Sequence, residues 1–259
     1  MSFSGKVKEE LLEHYARARH CDIAELSAIV HMAGEFKVGH GGVCCLKVHT
    51  ENLGVARKCF TLLVKTFNIK TDVVVRRNTG KDNYSYYIYA KGEELLAIRD
   101  TIVQAVCCKR AYIRGAFIAS GSMSDPSKSY HFEIVCNDEN QAEHLKEMMN
   151  SFGVDAKIVQ RKRTYVVYLK EGEQISDMLN IMEAPISMMK FENIRILKEM
   201  RNSVNRQVNC ETANIHKTVS AAVRQLEDIR YLQKMLRDVS FVEQQSESQQ
   251  IALKEHRHW

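Results

Sequence analysis

Hydrophobic and polar positions along the chain follow two different periods. Residues 71–77 and 84–90 are short runs rich in β-branched and aromatic side chains, separated by the turn-forming stretch NTGKDN. Residues 155–160 and 165–170 repeat this pattern around RKRT. From residue 184 to about 237, apolar side chains instead recur every three or four positions, which is typical of amphipathic helices. These patterns predict two strand hairpins, followed by two or three helices.

An internal repeat organises the first two thirds of the chain. When the sequence is shifted by 87 residues against itself, LSAIVHMAG at 26–34 meets IRGAFIASG at 113–121, and Cys21 meets Cys108. Each copy predicts a helix containing Gly or Ala, a strand or hairpin, a middle helix of about 15 residues, two strands and a last helix. TEN at 50–52 and NDE at 137–139 supply capping residues for the middle helices. We therefore expect an α+β domain built twice.

Composition indicates an ordinary soluble protein. The 259 residues are 45% hydrophobic, enough for a sizeable core, and no run of about 18 apolar residues could cross a membrane. The start MSFSGKVKEELLEHY resembles neither a signal peptide nor a transit peptide. We therefore expect a cytoplasmic protein without a membrane partner.

The cysteines predict no metal site. Eight are present, including the adjacent pairs Cys44/Cys45 and Cys107/Cys108, but no C-x-x-C spacing occurs. We interpret them as reduced and mostly buried apolar residues. No cofactor or metal is expected.

The basic charge is concentrated near the C-terminus, which favours a nucleic-acid partner. Of the net charge of +5, residues 190–238 supply +4, since ten Lys and Arg stand against six Asp and Glu. The candidate DNA-binding residues there are polar or basic side chains suited to phosphates and base edges: Arg201, Asn202, Asn205, Arg206, Asn209 and Lys217. A polar connector between domains, with Asn residues capping helices, is the alternative.

The hairpins add a second candidate surface. Basic residues stand at matching positions of the two repeats: Arg76, Arg77, Arg161, Lys162 and Arg163. We predict that folding places them on one side of the sheets, where they would bind the DNA backbone in a salt-dependent way. Ordinary solvated turns are the alternative.

The repeat resembles the LAGLIDADG homing endonuclease domain, whose nine-residue signature maps onto residues 26–34 and 113–121. The resemblance implies a duplicated α-β-β-α-β-β-α fold with saddle-shaped antiparallel sheets, in which the signature helices pack against each other. It also implies a metal-binding acid at the eighth position, but Ala33 and Ser120 stand there. We therefore expect no catalytic residues. A divergent metal-dependent nuclease using Glu35 or Asp125 is the alternative.

A closer resemblance, from Met1 to about Gln233, is to the WhiA family of bacterial transcription regulators. The most specific motif is MRNSVNRQVNCETANIHKTVSAAVRQLEDI, supported by CCKRAYIRGAFIASGS. The resemblance implies a noncatalytic DNA-binding regulator of sporulation or cell division. Its usual C-terminal helix-turn-helix is expected to be incomplete, through a frameshift or an early end of the gene, because only 27 atypical residues follow Leu232.

These expectations define five segments: an N-terminal helix at 1–20, repeats at 21–106 and 107–183, a basic helical linker at 184–237, and an atypical tail at 238–259 that is expected to be disordered or a frayed helix. The expected partner is double-stranded DNA, with another transcription regulator or RNA polymerase as a further partner. We expect a monomer, because the two signature helices in one chain satisfy each other. A protein-interaction scaffold without DNA binding remains an alternative.

Overall fold

The computed structural model describes residues 2–38, 44–77, 84–99 and 103–255, and side chains of the last helix as far as Arg237. The turn predicted at residues 78–83 lies outside the described residues. Two compact units divide the chain, Met1–Lys198 and Glu199–Trp259. None of the described helices is both long and apolar enough to cross a membrane.

The first unit is an α+β fold built twice, as the repeat predicts. It begins with helix α1 (Phe3–Glu13). The first repeat contains α2 (Arg19–Ala33), β1 (Gly34–Val38), β2 (Cys44–Thr50), α3 (Leu53–Phe67), β3 (Thr71–Arg77), β4 (Tyr84–Lys91) and α4 (Leu95–Arg99). The second repeat contains α5 (Val106–Ser120), β5 (Gly121–Met123), β6 (Phe132–Cys136), α6 (Glu139–Asn150), β7 (Lys157–Arg161), β8 (Thr164–Leu169) and α7 (Gly172–Ile181).

Both sheets are antiparallel and share one topology. Their strand orders are β1-β2-β4-β3 and β5-β6-β8-β7. In the first sheet Leu46 and Val48 of β2 are buried. The residues that alternate with them are not: Lys47 is partly exposed and His49 is exposed. This alternation gives each sheet one face in the core and one open face.

The middle helices begin at the predicted caps. Asn52 Oδ1 accepts hydrogen bonds from the backbone nitrogens of Gly54 at 2.8 Å and Val55 at 3.3 Å, and these start α3. Asp138 Oδ1 accepts from the nitrogen of Gln141 at 2.9 Å and starts α6. Each carboxylate or amide oxygen satisfies backbone donors that a helix N-terminus leaves unpaired.

The signature helices α2 and α5 pack almost backbone to backbone. A Cβ atom added to Gly115 would lie 2.4 Å from the backbone oxygen of Glu25 and 3.0 Å from Cβ of Ala28, so only glycine fits there. Buried Ala24 and Ala116 keep the rest of the interface narrow. The predicted role of the small residues in helix packing is confirmed.

A buried ion cluster crosses this helix interface. Glu25 of α2 is fully buried, and its Oε2 accepts hydrogen bonds from Nε and Nη2 of Arg114 in α5, both at 3.1 Å. Lys58 Nζ of α3 lies 2.5 Å from the other oxygen of Glu25. Arg114 Nη1 also donates to the half-exposed Glu183. Two cations are thus balanced by two carboxylates, which offsets the cost of removing these charges from water.

Lys58 also ties α1 to this cluster. Its Nζ donates to the backbone oxygens of Leu11 at 2.7 Å and His14 at 2.6 Å, at the end of α1. The carboxylate of Glu10 in α1 caps the helix that begins at Pro185, since it accepts from the nitrogens of Ile186 and Ser187, both at 2.8 Å. Charged groups therefore join the N-terminal helix to the first repeat through Lys58 and to the start of the last helix through Glu10.

The last third differs from prediction, because α8 (Pro185–Glu255) is one helix of 71 residues rather than two or three. Proline at its first position suits a helix start. The Asn-rich stretch that suggested turns contains no Gly or Pro to end a helix, and neither residue type occurs later in the chain. The tail from residue 238, for which disorder or a frayed helix was expected, continues the helix to Glu255, and residues 256–259 lie outside the described part of the chain.

Candidate nucleic-acid interface

Amide and hydroxyl groups occupy the ends of the signature helices, where the homing endonuclease pattern has acids. Ala33 and Ser120 are the last residues of α2 and α5. Ser120 Oγ donates back to the oxygen of Ala116 at 3.3 Å. At the end of α2, Gln141 Nε2 donates to the oxygen of His31 at 2.8 Å. These groups satisfy helix carbonyls and carry no charge that could hold a divalent cation.

The two neighbouring acids are engaged in local contacts. Glu35 of β1 faces Lys47 of β2 across the strand pair, with 3.9 Å between the carboxylate and the ammonium. Asp125 lies in the turn after β5, where its carboxylate accepts from the nitrogen and hydroxyl of Ser127 at 2.9 and 2.6 Å. These hydrogen bonds from Ser127 hold the pKa of Asp125 below its ordinary value. Each acid therefore already has a role in its own hairpin or turn.

The open face of the first sheet carries a compact set of basic and aromatic side chains, which we call the first basic face: Lys47, His49, Arg76 and Tyr87. The Tyr87 ring stacks on His49 at 4.7 Å between ring centroids. Arg76 lies 5.1 Å and Lys47 5.6 Å from the same ring centroid. Cations held over an aromatic ring keep their outer donors available to solvent or phosphate. This face suits an anionic backbone.

The corresponding face of the second sheet is organised around an acid. Glu133 of β6 accepts hydrogen bonds from Arg161 at 2.9 Å, His131 at 3.0 Å and Ser122 at 3.1 Å. Burial raises the pKa of Glu133, but the hydrogen bonds from His131, Ser122 and Arg161 outweigh it and leave the pKa lowered. Arg161 is therefore partly neutralised by Glu133, and on the first sheet Lys47 has Glu35 opposite it in the same way.

The structure separates the predicted hairpin residues into different environments. Arg76 belongs to the first basic face, whereas Arg77 is the next residue along β3 and its Cβ points to the opposite side of the sheet. Lys162 and Arg163 form the exposed two-residue turn between β7 and β8, and Lys162 adopts a left-handed conformation with φ of 56°. Arg76 and Arg77 therefore do not share one face of their sheet. That the two basic hairpin tips lie on one side of the sheets stays a prediction.

The predicted residues of the last third all lie on α8. Every one is exposed, including Arg201, Asn205 and Asn209. At about 100° per residue, the six side chains span roughly 160° of the helix surface. Six apolar residues occupy an arc of about 60°, which we call the apolar stripe: Leu197, Val204, Val208, Ile215, Val219 and Leu226. The stripe adjoins the polar arc, because Val219 lies at the same angle as Arg201, and Val223 lies inside the polar arc. This half of α8 is therefore an amphipathic helix with a polar, basic face.

Four side chains that sequence reasoning left apart meet at the beginning of the signature helices. We call this group, His20 and Cys21 of α2 with Cys107 and Cys108 of α5, the Cys/His cluster. Burial, and then the neighbouring Cys107 thiol, raises the pKa of the Cys21 thiol to about 12. The signal that could have found the cluster is the repeat itself. Cys21 aligns with Cys108, and the two aligned helices pack against each other.

The interpretation of the cysteines as mostly buried holds only for part of the set. Cys21, Cys44, Cys59 and Cys136 are buried, whereas Cys107 and Cys210 are exposed and Cys45 and Cys108 are intermediate. All eight are free thiols. Burial raises the pKa of Cys59 and Cys136 to about 12, so these two behave as neutral core residues.

Three protein-family models match successive parts of the chain. The WhiA N-terminal LAGLIDADG-like domain matches residues 19–99, the WhiA LAGLIDADG-like domain residues 109–201, and the WhiA C-terminal HTH domain residues 204–257.

Curated relatives and solved structures agree with these matches. The probable cell division protein WhiA of Lachnoclostridium phytofermentans is 50% identical over 253 residues, covering 90% of this chain and 81% of that protein. The one from Alkaliphilus oremlandii is 43% identical over 255 residues, covering 90% and 80%. A crystal structure of full-length DUF199/WhiA from Thermatoga maritima superposes with a TM-score of 0.72 at 22% identity, covering 87% of this chain and 77% of that one. A structure of the N-terminal LAGLIDADG domain of DUF199/WhiA gives 0.62 at 22% identity, covering 70% and 90%.

The expectation of an incomplete helix-turn-helix is wrong. The family model of that domain covers residues 204–257, within which the described residues form one continuous helix. Polar Gln and Ser residues near the end concealed the relationship, because they lack the apolar spacing by which a helix-turn-helix is recognised. With all three domain models matched along its length, the chain belongs to the WhiA family.

Proposed function

We propose that this protein is a noncatalytic, DNA-binding transcription regulator that acts on genes of cell division or sporulation in the cytoplasm. The observation that carries the proposal is the match of residues 204–257 to the WhiA C-terminal HTH domain. The curated relatives cited above are named as probable cell division proteins, which supports the choice of process.

The basic face of α8 is the first proposed DNA contact. Arg201, Arg206 and Lys217 supply cations, and Asn202, Asn205 and Asn209 supply amides that can donate to phosphates or read base edges. All six are exposed; five of them lie beside the apolar stripe, and Arg201 lies at its edge, at the same angle as Val219. A helix with this division can place its polar face against DNA while its apolar side chains pack on protein.

The first basic face is the second proposed contact. Lys47, His49 and Arg76 converge on Tyr87, so three donors lie within one small area of the open sheet. Such a group would contact the DNA backbone without reading sequence, because nothing in it discriminates between base pairs. Lys162 and Arg163 would extend this weak contact at the second hairpin, whereas Arg77 points to the other face of its sheet and Arg161 is reduced by its pairing to Glu133.

The absence of catalysis is proposed from the residues at the helix ends. Ala33 and Ser120 offer no carboxylate, and Glu35 and Asp125 are held by Lys47 and Ser127. Without paired acids, no metal ion would be positioned to activate water and stabilise the leaving oxygen. The scaffold then serves binding alone, to DNA and to another regulator or RNA polymerase. We further propose that it acts as a monomer, since α2 and α5 fill each other's packing faces.

Fluorescence anisotropy with labelled duplex DNA across a salt series tests this function, with supercoiled plasmid examined for cutting in Mg²⁺. We expect binding that weakens steeply with salt, because released counterions drive it, and an intact plasmid. Mg²⁺-dependent cutting that is lost in both Glu35→Gln and Asp125→Asn would favour the nuclease instead. Partner binding without any DNA affinity at low salt would favour the pure interaction scaffold.

A further inference from the structure

The Cys/His cluster has the composition and spacing of a metal centre. One ligand atom from each of its four residues lies within 4.8 Å of the other three. His20 Nδ1 is 3.1 Å from Cys108 Sγ and 3.4 Å from Cys21 Sγ. Three thiols and one imidazole therefore point toward a common centre, although they come from positions 87 residues apart in the sequence.

We propose that the Cys/His cluster binds one Zn²⁺ ion, which joins the starts of the two signature helices. Three cysteines and one histidine are a usual ligand set of structural zinc sites, and soft thiolates favour zinc over magnesium or calcium. Four protein ligands complete a tetrahedron and leave no open position for substrate or water. The ion would therefore be structural rather than catalytic.

The spacing fits zinc with small side-chain movements. With Zn–S bonds of about 2.3 Å and Zn–N bonds of about 2.0 Å, tetrahedral geometry separates sulfur pairs by roughly 3.8 Å and sulfur from nitrogen by roughly 3.5 Å. The two nitrogen-to-sulfur distances here, 3.1 and 3.4 Å, already lie near that value. Sulfur atoms within 4.8 Å of each other need to close by at most about 1 Å, which rotation of side-chain torsions supplies.

The helix starts favour the charge that such a site carries. His20 and Cys21 are the second and third residues of α2, and Cys107 and Cys108 hold the same positions in α5. Neither helix has a side-chain hydrogen bond at its N-cap residue, Ala18 or Ala105. On binding, three thiol protons leave to solvent, and the resulting zinc site has a net charge of −1. Two converging helix N-termini stabilise that negative charge.

An entry path for the ion is present. Cys21 and Cys107 line an open pocket of about 330 Å³, which Arg114 and Glu183 also border. His20 and Cys107 are exposed, so an ion can reach the cluster from solvent without unfolding either helix.

The ion would act far from the open sheet faces. The signature helices have 15 residues each and lead directly into β1 and β5 at their other ends. At about 1.5 Å per residue, the cluster is roughly 19 Å from the ends that carry Ala33 and Ser120. Zinc here would fix the two repeats against each other, and this role is independent of whether the protein binds DNA.

Metal analysis of the full-length chain, expressed with zinc and purified under reducing conditions, tests the proposal. We expect one zinc per chain, and after exchange with Co²⁺ the charge-transfer and d–d absorption bands of tetrahedral thiolate ligation. Cys21→Ser and Cys108→Ser should each lose the metal. Cys210→Ser is the matched control, because Cys210 is exposed on α8 outside the cluster, and it should retain one zinc.

The variant His20→Asn distinguishes loss of a zinc ligand from loss of metal caused by misfolding. Because His20 is exposed, this variant should keep its fold by circular dichroism while its zinc affinity falls at least tenfold. A reduced, folded wild-type chain that takes up neither zinc nor cobalt would overturn the proposal. Unchanged zinc content in both Cys21→Ser and His20→Asn would overturn it as well, because the metal would then lie elsewhere.

Discussion

Glu25 is the residue on which the joint between the two repeats depends. It is fully buried, pairs with Arg114 and Lys58, and contributes its backbone oxygen to the close approach at Gly115. Its position in the signature helix, one residue before the matched segment 26–34, gave no sign of this role, since a sequence read alone places a glutamate on a solvated face. Only the packing of α2, α3 and α5 brings its two cations to it.

Replacing Glu25 should be costly. Glu25→Gln leaves Lys58 and Arg114 buried without their shared counterion, which is expected to lower the free energy of unfolding by about 3–5 kcal/mol. Urea unfolding followed by near-ultraviolet circular dichroism measures this loss. Lys146→Met is the control, because it breaks the exposed Lys146–Glu143 pair and should cost less than about 1 kcal/mol.

The apolar replacement Glu25→Leu with Lys58→Met and Arg114→Met should recover most of that loss, since it removes all three buried charges together. Equal stability of Glu25→Gln and wild type would show that the buried charges are not needed for folding.

Elements were predicted well from sequence where local chemistry decides them. The caps Asn52 and Asp138 start their helices, and the β-branched runs form β3 and β7. Predictions failed where partners far along the chain decide the outcome. The Cys/His cluster is such a case, because it requires two helix starts to meet. The single helix α8 was missed for a local reason, because the absence of Gly and Pro outweighs its Asn-rich composition.

The side-chain partners on the open sheet faces also could not be predicted from the sequence. Arg76 and Arg161 occupy matching positions of the repeat, yet Arg76 lies over Tyr87 and Arg161 is paired with Glu133. The repeat predicted the strands that carry these two arginines, but not the side chains that lie beside each arginine. The basicity of each open face is set by cross-strand partners that the repeat does not preserve.

Close contact between α2 and α5 makes a prediction about a single glycine. Gly115→Ala would place a Cβ 2.4 Å from the oxygen of Glu25, so the helices must separate, at an expected cost of about 1–3 kcal/mol. Thermal unfolding with and without the substitution measures it. Gly153→Ala is the comparison, because nothing lies within 4 Å of that position and only its φ of +87° opposes a side chain. A smaller loss for Gly115→Ala than for Gly153→Ala would contradict the packing account.

Across the whole molecule, structural and binding roles belong to separate groups of residues. Glu25 and Gly115 lie in the contact between the repeats, and the Cys/His cluster is proposed to link them through zinc. The first basic face and the polar face of α8 are proposed to contact DNA. The apolar stripe of α8 is exposed in this helix, with Val219 at 55% and Leu226 at 53% of full exposure. A helix-turn-helix arrangement of residues 204–257 would bury such a stripe, which gains free energy in proportion to the apolar area removed from water.

DNA binding by the polar face of α8 and by the first basic face is tested most directly by its salt dependence, measured by anisotropy on duplex DNA for wild type and two double variants. Arg201→Ala with Arg206→Ala should weaken binding and reduce the slope of log affinity against log salt by about 2, since two phosphate contacts are lost. Lys47→Ala with Arg76→Ala should give a smaller loss of the same kind. Ser220→Ala, also exposed on α8, should leave binding unchanged. If neither double variant alters the DNA affinity or its dependence on salt, the two surfaces are not the DNA interface, and the proposal that they bind DNA is wrong.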